Sequence, residues 1–154
     1  MNGEVETESL ADSQDLLEVY PDVNRINIQE CGGSGDDDAN LELSKLVYNQ
    51  TMTTHIMVNG LVASGGTNFF LAGRGRSMED GAMIGVHSWS SGSTEDSSFL
   101  RGHADHQPYI DYYKTIGFTQ KEAEDFCYFT VNAAKSSRRH YMTQEEIQLY
   151  KILK

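Results

Sequence analysis

LVASGGTNFFLAG, residues 61 to 73, decides how this chain of 154 residues is read. The stretch THIMVNG at 54 to 60 leads into it as a strand, the small residues Ala63 to Gly66 turn the chain, and the apolar remainder continues as a short helix. Ser64 therefore stands at the head of a helix, where backbone N–H groups lack intrahelical partners. Two readings are open. A hydroxyl there can attack a carbonyl while the N–H of Gly65 receives the developing oxyanion; Ser-Gly-Gly is equally what an ordinary helix cap looks like.

His87 weighs toward chemistry. It closes the apolar strand MIGV at 83 to 86, at a place where an imidazole can serve as general base for a hydroxyl, although a half-buried structural histidine would look the same. Upstream, the alternating RINIQ at 25 to 29 ends in CGGSG, so Gly32 and Gly33 form a turn whose N–H can face the same oxyanion position; the bland alternative is a tight loop. The turn lacks the lysine and spacing of a phosphate cradle, and Asp36 to Asp38 would repel an anion.

The rest of the chain frames this core. The opening 23 residues are polar, with an amphipathic helix expected over Glu8 to Tyr20 and ended by Pro21. ANLELSKLVYNQ at 39 to 50 reads as a helix with the three aspartates at its N-terminus. RSMEDGAMIGVHSW gives two short extended pieces around a turn at Glu79 to Gly81, SSGSTEDSS at 90 to 98 reads as a flexible polar loop, and residues 99 to 117 and 119 to 137 read as helices. Thr119 with Glu122 and Thr143 with Glu146 form capping boxes. Consecutive strand-to-helix steps predict an α/β fold with a mostly parallel sheet and a carboxyl-terminal helical layer, in one domain over 1 to 154.

Composition narrows the function classes. A formal net charge of −11 argues against nucleic acid and anionic lipid surfaces as partners, and Arg138 and Arg139 beside Lys135 read as a solvated helix end. No run of 18 apolar residues exists, so no membrane span is expected; the protein reads as soluble, either cytoplasmic or exported after loss of a leader. Cys31 and Cys127 form no C-x-x-C pair, and a disulfide between them is left open. His103 and His106 lie at i, i+3 near Asp105, but no third ligand stands at metal-site spacing, so neither metal nor organic cofactor is expected. Tyr109, Tyr112, Tyr113, Phe126, Tyr128 and Phe129 read as packing core.

Taken together, ECGGSGDDDANLELSKLVYNQ, MVNGLVASGGTNFFLAGRGRSMEDGAMIGVHSW and HYMTQEEIQLYKIL resemble the proteolytic subunit of Clp protease and uncharacterised bacterial ClpP-like proteins of the ClpP/crotonase superfamily. In that family a strand ends in a Gly-Gly turn, the next strand runs into the nucleophilic serine, and a histidine follows some two dozen residues later; here the interval from Ser64 to His87 is 23 residues. The resemblance implies a fold of repeated β-β-α units and a serine hydrolase acting on a peptide or small acyl substrate. It casts Ser64 as nucleophile, His87 as base, and Gly33 and Gly65 as oxyanion donors, in a homo-oligomer. Asn2 to Val5 resemble the end of the family's first strand, implying a chain that begins inside a longer protein.

The chain departs from the family at the third catalytic residue. The aspartate expected just before HYMTQEE is absent from AAKSSRR, which leaves Asp111, Asp125, Lys135 or no residue at all for that role. Two further readings therefore stand beside the peptidase. One is a binding or scaffold protein that keeps the fold without the reaction. The other is an acyl-CoA enzyme of the crotonase type, against which the helix from Ser64 to Leu71 offers no acidic base.

Overall fold

The computed structural model describes residues 1–91, 94–95 and 99–154. Its scaffold grows from three strands in parallel: β1 (Arg25–Cys31), β2 (Thr53–Ala63) and β4 (Met83–Val86). β2 is the longest, with 11 residues, and it reaches further than the seven expected from the sequence, 54 to 60. Asn59 explains how it does so. Its φ of 53° is a left-handed kink, and the register against β1 jumps there from the Ile28–Ile56 pair to the Glu30–Leu61 pair. One edge of β2 consequently serves two partners, β3 (Gly75–Met78) along its first half and β4 along its second. β7 (His140–Tyr141) adds to β4 antiparallel.

The amino terminus joins the same sheet. Asn2 and Val5 bridge in parallel to Glu30 and Ser34, as the resemblance of this segment to a strand end implied, and Val5 is fully buried. α1 (Ser9–Val19) follows and ends before Pro21 as its sequence dictates, but it buries no residue fully. α2 (Asp37–Asn49) begins where its acids predict: the Asp36 carboxylate accepts the N–H of Ala39 at 2.9 Å, and that bond, reinforced by the Thr7 hydroxyl, lowers the pKa of Asp36.

The helical layer covers the sheet. α4 (Gln107–Thr115), preceded by a single 3-10 turn at Ala104–His106, is shorter than the 99-to-117 helix expected, because Gly102 takes a φ of 87° and Pro108 fixes the first turn. α5 (Gln120–Ala133) stops four residues before the expected end, at Ala134, which turns extended. Both predicted capping boxes form, at the heads of α5 and α6 (Gln144–Leu149). Ile28, Ile56, Val62 and Ile84 from the sheet pack with Phe70, Leu71, Tyr112, Tyr113, Phe126 and Ile147 from the helices in one core. Cys31 and Cys127 are both buried and no disulfide joins them, and burial raises the Cys31 thiol to about 11. Of the loop expected at 90 to 98, the two-residue strands β5 (Ser90–Ser91) and β6 (Thr94–Glu95) pair antiparallel, and the remainder lies outside the described residues. No described helix is long and apolar enough to cross a membrane.

Candidate active site

The carboxyl ends of β1, β2 and β4 converge, and ligands in parallel α/β sheets collect at such ends. Cys31 pairs with Val62 and Ala63 with Gly85, so Gly33, Ser64 and His87 each leave the sheet within a residue or two of one another's level. The chain turns at Ser64 straight from β2 into α3 (Gly65–Leu71), and every residue of that helix is buried.

Ser64 has φ 53° and ψ −127°, a conformation that L-residues other than glycine rarely take. Its own backbone is well held: its N–H donates to Gly85 O at 3.2 Å, and its carbonyl accepts from Thr67 N at 2.9 Å. Its hydroxyl makes no capping bond, which sets aside the ordinary N-cap reading of Ser-Gly-Gly. Comparable strand-to-helix turns expose a nucleophile at the top of a sheet.

The two glycines after it serve close packing. A Cβ on Gly65 would stand 2.1 Å from Ser34 Oγ, and one on Gly66 would stand 2.0 Å from the carbonyl oxygen of Cys31. Their absence lets α3 press against the β1 turn, with a Cβ built on Gly33 only 4.0 Å from that of Ser64. Gly65 opens the helix, where its N–H has no intrahelical acceptor, and among the described residues no acceptor takes the N–H of Gly33. Asn40 fixes the next peptide by donating its Nδ2 to Gly65 O at 3.0 Å.

His87 and Ser64 line two cavities in common. One is open, about 530 Å³, and is walled also by Glu4, Gly33, Arg138 and Arg139; the other is small and more enclosed, about 30 Å³. No hydrogen bond joins the two side chains, a spacing common in unliganded sites. His87 Nδ1 lies 2.6 Å from the Ser88 carbonyl oxygen. A carbonyl only accepts, so Nδ1 carries the proton and Nε2 is left with the lone pair. Ser88 is itself held from the other side, its N–H donating to Ala134 O at 2.7 Å.

None of the residues proposed for the third role reaches this place. Asp111 pairs with Gln107 and Lys114 on the outer face of α4, Asp125 pairs with Lys121, and Lys135 is exposed and lines neither cavity. Among the described residues the hydrogen-bond partner of His87 Nδ1 is the Ser88 carbonyl rather than a carboxylate. Asp37 was not singled out in the sequence. It lines the small cavity and accepts from Tyr109 Oη at 2.8 Å and Ser34 Oγ at 2.5 Å. Arg138 and Arg139, read as a solvated helix end, are exposed as expected but lie beyond the end of α5 and line the open cavity, where Arg139 donates to Gly32 O at 3.2 Å. Among the described residues no cluster of metal-ligating side chains occurs, and His103 stacks on Phe99 with ring centroids 4.0 Å apart.

A mostly parallel sheet with a helix sprung from the end of its longest strand, a glycine turn beside it and a covering helical layer is the ClpP-like fold. Solved structures that share it include the 1510-N membrane-bound stomatin-specific protease as a lysine-to-alanine mutant in complex with a substrate peptide, with TM-score 0.62 and 16% identity, covering 100% of this chain and 71% of that one. A serine-to-alanine mutant of the same protease gives 0.62 and 17%, covering 100% and 75%. The ClpP protease catalytic domain from Plasmodium falciparum gives 0.58 and 19%, covering 99% and 80%. No family model matches the sequence, and no curated protein matches it.

Proposed function

We propose that the protein is a ClpP-like serine peptidase with Ser64 as nucleophile and His87 as base. The observation that carries this reading is the left-handed Ser64, its hydroxyl unused in capping, sharing a cavity with an imidazole whose Nδ1 is tied to a carbonyl. That the solved neighbours are proteases by name supports the same class.

The steps this reading implies are those of serine acyl transfer. Ser64 Oγ bonds to the substrate carbonyl carbon while its proton passes to His87 Nε2, and the carbonyl electron pair moves to oxygen, facing the N–H groups of Gly33 and Gly65. The carbon–nitrogen bond then breaks, the imidazolium returns the proton to the departing amine, and water repeats the sequence to free the acyl group. The Ser88 carbonyl orients the ring and solvates the imidazolium, without the full charge a carboxylate would bring. A slower enzyme than a complete triad is the expected result.

A fluorophosphonate probe should label the wild type at Ser64 and leave Ser64→Ala unlabelled, with intact-protein mass as the readout. Absence of labelling in folded wild type would overturn the peptidase and favour the second reading, a binding protein on the same scaffold. The observation behind that alternative is the exposed Lys135 in the segment where the family carries its acid.

A further inference from the structure

The two cavities at Ser64 divide the space around a bound carbonyl. In the tetrahedral intermediate one substituent, the oxyanion, faces the N–H groups of Gly33 and Gly65, and the leaving amine must reach His87 and then depart. The open cavity of about 530 Å³ gives the departing chain its way out. What remains is the acyl side chain, and the small cavity, lined by Ser64 together with Gly65, Thr67 and Asn68, is the second space that touches the nucleophile.

That cavity measures about 30 Å³, space on the order of one or two water-sized groups. Rigid rings close it. Trp89 stacks on Tyr109 with centroids 4.2 Å apart, Phe126 is 1% exposed and Val86 is 1% exposed. Several polar groups of its wall are held by protein partners: Thr67 donates to Gly85 O at 2.8 Å, Thr130 to Phe126 O at 3.0 Å, and the Asp37 carboxylate accepts from Tyr109 and Ser34. A long or branched side chain finds no room there, whereas a methyl group or a hydrogen fits. Resting on the peptidase reading, we infer that this enzyme cleaves after glycine or alanine and rejects leucine, phenylalanine and charged residues on the acyl side of the bond.

Rates of covalent capture test the rule without a known substrate. Three peptidyl diphenyl phosphonates, identical except for an alanine, leucine or phenylalanine analogue next to phosphorus, are incubated with the full chain and adduct formation is followed by mass. The alanine probe is expected to react at least about 10-fold faster than either larger one, in keeping with the discrimination a filled pocket gives per methylene. Trp89→Ala should narrow that ratio by opening the wall; if this variant does not fold, the wild-type ratio alone decides. Equal or faster capture of the leucine or phenylalanine probe at Ser64 would overturn the size rule and leave the serine chemistry standing. Failure of all three probes and of a small fluorophosphonate on folded protein would remove both.

Discussion

Gly66 shows how a single missing atom sets the position of the site. Its Cβ would stand 2.0 Å from the Cys31 carbonyl oxygen and 2.8 Å from the carbonyl carbon, and neither belongs to a side chain that can swing aside. Gly66→Ala is expected to destabilise the protein by about 1–3 kcal/mol, read from denaturant unfolding. Gly32→Ala is the control: its nearest neighbours, the ends of Arg139 and Glu4, would stand 3.7 Å away, and stability should stay near wild type. Both glycines look alike in ECGGSG and ASGGT, so the sequence distinguishes a turn from its surroundings but not which glycine bears the contact. Ser64 and His87 could be named as candidates because type and spacing coincide at the ends of two apolar strands, and the structure brings them to the same cavities. Asp37 was not, since in a run of three aspartates nothing marks the one that meets a tyrosine 72 residues away.

At the scale of elements, local chemistry predicted what local chemistry builds. The capping boxes at α5 and α6 and the acid-led start of α2 are contacts between residues three apart, so they could be read directly. The early end of α5 answers to tertiary pairing, whereas the kink at Asn59 falls on an Asn-Gly pair, a local turn signal that the expected strand simply stopped at. The head of α5 also carries a pH-dependent tie. The Lys151 ammonium and the N–H and hydroxyl of Thr119 hold the Glu122 carboxyl at about 2, below its ordinary 4.5. A depressed folded value stabilises the protein above about 4.5, and that contribution disappears as pH falls from 4.5 to about 2. Glu122→Gln keeps a residue suited to the capping box while removing the charge, so it should lower the melting temperature at neutral pH by the equivalent of about 1 kcal/mol or less, given the exposure of the pair. Thermal melts of both proteins should converge near pH 2.

Across the whole molecule, long-range ties fasten the tail of the chain to the helix that follows Ser64. Arg76, 2% exposed, donates through Nη1 to Leu71 O and Gly73 O at the end of α3, each at 3.1 Å, and through Nη2 to Lys151 O at 2.9 Å. Among the described residues no side-chain carboxylate pairs with it, and burial lowers its pKa to about 10. This clamp spans 75 residues and was invisible in the sequence, where Arg76 is one more base in GRGRSM. The backbone at Ser64 makes folding and chemistry want different residues. A side chain at φ 53° and ψ −127° costs about 1–3 kcal/mol that glycine largely avoids. Ser64→Gly should therefore melt at a higher temperature than the wild type while Ser64→Ala, which keeps a Cβ, should not. A calorimeter can thus detect the penalty that selection for folding alone would have erased, with no substrate in the cell.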